Sequence, residues 1–157
     1  MAQPTAAVIA SRDEALAAEL QRRLGSREFR LYTNRDVVGV EVGGAAKNII
    51  ALATGLSDGL GLGENARAAL VTRGLAEMTR LGAALGGDPA TLAGLAGLGD
   101  LVLTATGTLS RNRALGMALA RGESRAGAQR ATRMIAAGVP TVASALALAA
   151  RHGVALP

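Results

Sequence analysis

The feature that most constrains the fold is the near absence of aromatic side chains. The chain of 157 residues contains one Phe, Phe29, one Tyr, Tyr32, and no Trp, although half of its residues are apolar and 21 are Gly. Its core must therefore be packed from Leu, Ala, Val, Ile and four Met. Ala and Leu favour helices, whereas strands favour aromatic and β-branched residues. The composition predicts a mainly α-helical domain of ordinary size.

The beginning of the chain has a different pattern. The segments TAAVIA (residues 5–10) and EFRLYT (28–33) predict short strands. The helix between them is predicted to begin at Ser11, which opens a capping-box spacing, and to stop at Gly25. The segment VVGVEV (37–42) fits a third strand or an extended lead-in to a helix. The order is therefore β-α-β.

From Gly43 onward the spacing of apolar residues is helical. Two or three strands are too few for a stable sheet of their own. We therefore expect residues 1–40 to be the end of a larger unit, and residues 41–157 to form an all-α domain. A helix with Asp88 as N-cap and Pro89 in its first turn is predicted. The other later helices are predicted over residues 64–85, 110–121, 124–137 and 139–151.

Composition and charge exclude several function classes. The chain has no Cys and one His, so disulfides and a cysteine nucleophile are excluded, and neither a histidine triad nor a metal site is predicted. The net charge of +5 indicates an anionic partner. Scattered Arg residues and few aromatics argue against nucleic acid. The longest uncharged stretch, residues 134–150, falls short of the ~20 residues that span a bilayer. We expect a cytoplasmic protein without membrane insertion.

One candidate site lies in the segment TATGTLSRNRALGMALA, where Ser110, Arg111 and Asn112 come at a predicted helix start. A helix start leaves backbone N–H groups without partners and carries partial positive charge, so it binds anions readily. Arg111 can bind a phosphate through two parallel N–H bonds. The alternative is an ordinary N-cap followed by solvated arginines.

Two further residues indicate chemistry. Lys47 is the only Lys of the chain and follows small residues at a helix start. Burial disfavours the charged form of an amine, so a lysine in such a place can exchange a proton near neutral pH; the alternative is a surface lysine. Asp100 is the only charge between Asp88 and Arg111, and its partner is Lys47, Arg111 or a substrate hydroxyl, unless it is a helix N-cap.

The segments GVEVGGAAKNIIALATGLSDGLGLGENARAALVTRGLAEMTRLG and LAGLGDLVLTATGTLSRNRALGMALARG resemble bacterial NAD(P)-dependent glycerol-3-phosphate dehydrogenase, and the resemblance covers nearly the whole chain. It implies reduction of dihydroxyacetone phosphate to sn-glycerol 3-phosphate with NAD or NADP as the cofactor, for phospholipid synthesis, in a homodimer. It implies that Lys47 exchanges the proton and that Arg111 also contacts the cofactor. The implied substrate contacts are Lys47, Asp100, Ser110, Arg111 and Asn112, supported by Asn48 and Thr104.

The chain departs from this family in two places. The family begins with a dinucleotide-binding half that carries G-x-G-x-x-G after a strand; this sequence has no such motif, and GLGLGE does not qualify because it lies between predicted helices. The resemblance therefore implies that residues 1–40 are a remnant of this dinucleotide-binding domain and that residues 41–157 are the all-α substrate-binding and catalytic domain. Ala137 stands where the family has a Glu that contacts the cofactor. We therefore expect little dehydrogenase activity from this chain alone. The alternatives are the substrate domain of another two-domain dehydrogenase, or a non-catalytic helical module for dimerisation or anion binding.

Overall fold

The computed structural model describes residues 3–124, 127–128 and 138–156. Strand β1 (Thr5–Ala10), helix α1 (Glu14–Leu24) and strand β2 (Phe29–Asn34) form the predicted β-α-β unit. The two strands pair in parallel, with Ala7 opposite Leu31. Both predicted strands are confirmed, the second shifted by one residue.

The predicted start of α1 at Ser11 is wrong. The N-cap is Asp13, whose carboxylate accepts the N–H of Leu16 at 3.0 Å. The backbone N–H of Ser11 instead donates to the carbonyl of Asn34 at 3.0 Å, which extends the ladder between the strands by one bond. Because this bond holds Ser11 beside the sheet, the N-cap of α1 lies two residues later than predicted.

Residues 37–42 are neither a strand nor an extended segment but the first turns of helix α2 (Val37–Gly59). Asp36 caps this helix, and its carboxylate accepts the N–H of Gly39 at 2.8 Å. The predicted boundary between residues 40 and 41 falls inside α2. The division of the chain into two domains remains a prediction.

The rest of the described chain is helical, which confirms the mainly α fold. Helix α4 begins as predicted, with Asp88 as the N-cap and Pro89 in the first turn. The predicted helix over 124–137 lies largely outside the described residues. The elements after α2 are α3 (Gly63–Ala84), α4 (Pro89–Ala93), a π-helical turn (Leu95–Gly99), α5 (Asp100–Thr106), α6 (Arg111–Ala120) and α7 (Gly138–Arg151).

Helix α2 is the centre of the domain, because α3, α4, α5, α6, α7 and the π-helical turn all contact it. It is long and apolar enough to cross a membrane by length and composition, but the helices around it make it the core helix of this fold. The core is aliphatic, since Phe29 and Tyr32 are both exposed. Its largest cluster contains Ile50, Met78, Leu92, Leu101 and Ala105.

Glycines bring α6 against the middle of α2. A Cβ atom at Gly55 would lie 2.1 Å from the carbonyl oxygen of Arg113, and one at Gly116 would lie 2.2 Å from that of Leu52. Both positions therefore exclude a side chain, because backbone atoms occupy the space. The close contact aligns the N-terminus of α6 with the part of α2 that carries Lys47 and Asn48.

Candidate functional site

Lys47 and Asp100 form an ion pair between α2 and α5. The ammonium of Lys47 donates a hydrogen bond to Oδ2 of Asp100, and the two side chains are 22% and 33% exposed. The sequence left Lys47, Arg111 and a ligand hydroxyl open as partners of Asp100; in the structure the partner is Lys47. The pair is partly buried but still accessible to a small molecule.

Asp100 is positioned by the π-helical turn that precedes it and by its own helix. It is the first residue of α5, and the hydroxyl of Thr104 donates to its backbone carbonyl at 2.6 Å and lies 3.5 Å from its Oδ1. Thr104 therefore shares a face with Asp100, as the four-residue spacing predicts. Single-turn π-helical segments within α-helices are frequent at functional sites.

Asn112 connects three helices through its amide. Its Nδ2 donates to Oδ1 of Asn48 at 2.8 Å, and its Oδ1 accepts the backbone N–H of Gly138 at 2.8 Å. Asn48 in turn donates to the carbonyl of Gly44 at 3.1 Å. Asn112 is only 6% exposed. The hydrogen bond joins the residue after Lys47 to α6, so Lys47 and the start of α6 lie in one region of the molecule.

Ser110 is the N-cap of α6, as the sequence predicts, and its hydroxyl oxygen accepts the N–H of Arg113 at 3.3 Å. Arg111, the first residue of α6, is exposed. Among the described residues its guanidinium has neither an ion pair nor a hydrogen bond. The start of α6 therefore presents an unpaired positive charge together with the free N–H groups of a helix N-terminus.

The sequence analysis missed an ion-pair network that anchors α6. Arg113 donates to Oδ2 of Asp58 through Nε at 2.8 Å and Nη2 at 2.7 Å, and Arg67 donates to Oδ1 of Asp58 at 3.0 Å. The hydrogen bond to Asp58 raises the pKa of Arg67. A signal was available, because Asp58 is the only charge between Lys47 and Glu64 and a lone acid in an apolar stretch needs a partner.

A cavity of about 360 Å³ lies between β1 and the helices that carry the ion pair. Among the described residues that line the cavity, Asp100 is the one that carries a charge, and the others, which include Val8, Val40 and Leu103, are apolar. The carboxylate of Asp100 thus lies between Lys47 on one side and an apolar cavity on the other. Within the described residues, no cluster of three or more His, Asp or Glu side chains could hold a metal ion.

Comparisons with known proteins agree with the resemblance found in the motifs. Residues 36–157 match the family described as NAD-dependent glycerol-3-phosphate dehydrogenase C-terminus. Over 154 residues the chain is 62% identical to the glycerol-3-phosphate dehydrogenase [NAD(P)+] of Geobacter sulfurreducens, a match that covers 98% of this chain and 46% of that protein. The corresponding protein of Streptomyces coelicolor is 54% identical over 154 residues, again 98% of this chain and 46% of the relative.

Solved structures give the same result for the fold. The crystal structure of glycerol-3-phosphate dehydrogenase from Coxiella burnetii matches with a TM-score of 0.95 at 50% identity, covering 99% of this chain and 48% of that one. The structure of DsGPDH from Dunaliella salina matches with a TM-score of 0.87 at 25% identity, covering 96% of this chain and 30% of that one.

The chain spans about half the length of the bacterial relatives it matches. Ala137, which the resemblance places at the position of a family glutamate, lies outside the described residues. The match over residues 36–157 includes α2 and every described element after it, and thus Lys47, Asp100 and the start of α6. The chain belongs to the NAD-dependent glycerol-3-phosphate dehydrogenase family and corresponds to its C-terminal part.

Proposed function

We propose that this chain supplies the substrate-binding and proton-transfer part of an NAD(P)-dependent glycerol-3-phosphate dehydrogenase. The enzyme reduces dihydroxyacetone phosphate to sn-glycerol 3-phosphate and oxidises NADH or NADPH. The observation that carries the proposal is the Lys47–Asp100 ion pair, joined through the Asn48–Asn112 hydrogen bond to a helix N-terminus whose Arg111 has no partner among the described residues. A proton donor and an anion site thus lie in one region.

In this proposal Lys47 supplies the proton. When bound, NADH or NADPH would supply the hydride for the carbonyl carbon of the substrate. The Lys47 ammonium donates a proton to the carbonyl oxygen, which becomes the new hydroxyl group. The carboxylate of Asp100 orients this ammonium and accepts a hydrogen bond from the substrate hydroxyl. Thr104 supports Asp100 by its bond to the backbone carbonyl.

The start of α6 binds the phosphate of the substrate. Its free N–H groups and the positive end of the helix favour a dianion, and Arg111 adds a guanidinium that no described residue engages. Ser110 donates a hydrogen bond from its hydroxyl to the phosphate, because its oxygen already accepts the N–H of Arg113 as the helix cap. After donating to Asn48, Asn112 has a second amide hydrogen that no described residue accepts, and we assign this hydrogen to the substrate.

Arg111 also serves as the cofactor contact of this chain. Its exposed, unpaired guanidinium fits the negative charge of a dinucleotide. The remaining contacts to NAD or NADP come from the dinucleotide-binding half that the resemblance implies. We propose in addition that the enzyme works as a cytoplasmic homodimer, supplies phospholipid synthesis, and neither binds nucleic acid nor inserts into membranes.

The proposal is tested by comparing this chain alone with the chain joined to the N-terminal half of the Geobacter sulfurreducens relative. Oxidation of NADPH in the presence of dihydroxyacetone phosphate is measured for both. We expect turnover from the joined protein and almost none from the chain alone. The substitution Lys47→Met in the joined protein is expected to lower kcat by about 10²–10⁴-fold, the range for loss of a general acid.

The control for Lys47→Met is Arg73→Met, which removes a cation that is 68% exposed on α3. Its kcat is expected to match that of the unmodified joined protein. Full turnover by Lys47→Met contradicts the assigned proton donor. Strong turnover by the chain alone contradicts its dependence on a second half.

A further inference from the structure

We propose that Gly43 is a positioning residue that sets Asp100 against Lys47. The geometric part of this inference concerns only the ion pair; its consequence for turnover rests on the proposed function. Gly43 is buried on α2, four residues before Lys47, so the two residues share a face of the helix. Across from Gly43 lies the π-helical turn that ends immediately before Asp100.

The contact at Gly43 leaves no space for a methyl group. A Cβ atom at this position would lie 2.6 Å from the carbonyl oxygen of Ala96 and 3.4 Å from Cδ2 of Leu92. Ala96 is part of the π-helical turn, and real Cβ atoms essentially never approach a heavy atom within 3.0 Å. A side chain at position 43 therefore has to move the turn away from α2.

The turn is expected to move as a unit, because it is closely packed against the segment that precedes it. A Cβ atom at Gly97 would lie 2.0 Å from the carbonyl oxygen of Leu92, and Leu92 itself is fully buried. The N–H of Gly99 donates to the carbonyl of Gly94 at 3.1 Å, which closes the turn on itself. A displaced turn therefore carries Asp100 with it.

Gly44, the next residue, provides a matched control for a substitution at Gly43. A Cβ atom at Gly44 would meet nothing within 4 Å. Gly43→Ala and Gly44→Ala add the same methyl group to the same helix at adjacent positions. Only the first is expected to separate Asp100 from Lys47.

The experiment uses the whole 157-residue chain labelled with ¹³C-lysine, which yields the spectrum of one residue because Lys47 is the only Lys. The variant Asp100→Asn gives the side-chain shifts of Lys47 without its counter-charge. We expect Gly43→Ala to move the Lys47 signals at least halfway to the Asp100→Asn positions. Gly44→Ala is expected to leave them at the wild-type positions. All samples contain trimethylamine N-oxide, which favours the folded state of destabilised variants.

Gly59→Ala controls for destabilisation of α2. Its methyl group would lie 2.5 Å from Cβ of Ala120 and 2.9 Å from the carbonyl oxygen of Met117, at the far end of the same helix. This variant is expected to lower the melting temperature without moving the Lys47 signals. In the double variant Gly43→Ala/Asp100→Glu, the longer acidic side chain can reach Lys47 again. We expect the Lys47 signals of this variant to return to the wild-type positions.

The outcomes separate this inference from the proposed function. Lys47 signals that stay at the wild-type positions in Gly43→Ala, or that move equally in Gly59→Ala, overturn the positioning role. In the joined enzyme, Gly43→Ala is expected to lower kcat by about 10²-fold, with a smaller change in KM, since small misplacements of catalytic groups have effects of this size. Displaced signals with an unchanged kcat would instead overturn the catalytic role of the pair and leave the positioning role intact.

Discussion

Asn112 shows how a single side chain holds the candidate site together. Its amide satisfies Oδ1 of Asn48 on α2 and the backbone N–H of Gly138 on α7, and all three groups lie in the interior or at its edge. Buried polar groups that lose their partners destabilise a fold by more than the hydrogen bond contributes when present. The position of α6 against α2 and α7 therefore depends on this amide.

Replacing Asn112 with Ala leaves both partner groups without a hydrogen bond. We expect a loss of about 2–6 kcal/mol in the free energy of unfolding, from two unsatisfied polar groups at about 1–3 kcal/mol each. Urea denaturation measures it. The control is Thr72→Ala, whose exposed hydroxyl bonds only to the carbonyl of Ala68 in its own helix, and a change within about 0.5 kcal/mol is expected there. A loss below about 1 kcal/mol for Asn112→Ala would contradict the prediction.

Asp36 contributes a pH dependence to the stability of the fold. Burial alone would raise its pKa, but hydrogen bonds from the N–H groups of Gly39 and Asp88 and from the side chain of Thr91 outweigh burial and lower the pKa below the ordinary 3.8. Because the folded-state pKa is the lower one, ionised Asp36 stabilises the fold above pH 3.8, and this contribution disappears as the pH falls through the folded-state pKa.

The difference in unfolding free energy between the wild type and Asp36→Asn tests this. We expect the wild type to be more stable by a constant amount at neutral pH, and the difference to shrink as the pH falls below 3.8. Denaturant unfolding across this range measures both proteins. A difference that is the same at every pH, or that grows in acid, would contradict the assignment.

At the scale of elements, the contact between α2 and α6 determines where the site residues meet. Gly55 and Gly59 on α2 and Gly116 on α6 all face backbone or Cβ atoms of the opposite helix. Asp58 then fixes the first turn of α6 through Arg113. The glycines allow α2 and α6 to approach closely, and the Asp58–Arg113 ion pair sets how the two helices are aligned.

Gly116→Ala is expected to destabilise the chain by about 1–3 kcal/mol, the usual effect of overpacking, because its methyl group would lie 2.2 Å from the carbonyl oxygen of Leu52. Gly44→Ala, which meets open space, is expected to stabilise by about 0.5–1 kcal/mol through helix propensity. Thermal unfolding of both variants measures the contrast. Equal melting temperatures would show that α2 and α6 can separate without cost.

At the scale of the whole molecule, hydrogen bonds at the end of β2 and at the cap of α2 join the β-α-β unit to the segment around α4, and β1 also contacts α2 and the π-helical turn. Asn34 donates to the hydroxyl of Thr91 at 3.1 Å, and Asp88 donates its N–H to Asp36 at 2.8 Å. The sheet has two strands, and large apolar side chains around it are exposed, namely Leu16, Leu24, Phe29 and Tyr32. A two-stranded sheet is marginally stable without more strands or a larger apolar contact.

Hydrogen exchange is expected to show this difference. In the chain alone, amide protons of β1 and β2 should exchange faster than those of α2 near Ile50 and Ala51, because the central helix opens only with the whole domain. Mass spectrometry of peptides from the two regions measures the rates. Strands protected as strongly as α2 would show that the β-α-β unit is stable with only the contacts described here.

The sequence by itself determined the features that depend on near neighbours. The sequence predicted the aliphatic core, the two strands and the N-caps at Asp88 and Ser110, and its motifs indicated the family. These signals lie in the composition or in residues a few positions apart. Two predictions near the start of the chain did not hold, because the local patterns there fit more than one structure. The start of α1 at Ser11 was wrong, since the backbone N–H of Ser11 bonds to Asn34. Residues 37–42 were expected to be extended, but Asp36 caps a helix there.

The tertiary structure alone decided which charges meet. Asp100 had three possible partners, and the contact between Gly43 and the π-helical turn selected Lys47, from which it is separated by 53 positions. The Asp58–Arg113 and Asn48–Asn112 contacts bridge 55 and 64 positions. Periodicity and capping carry no information over such separations, because these distances are fixed by how closely the helix backbones can approach.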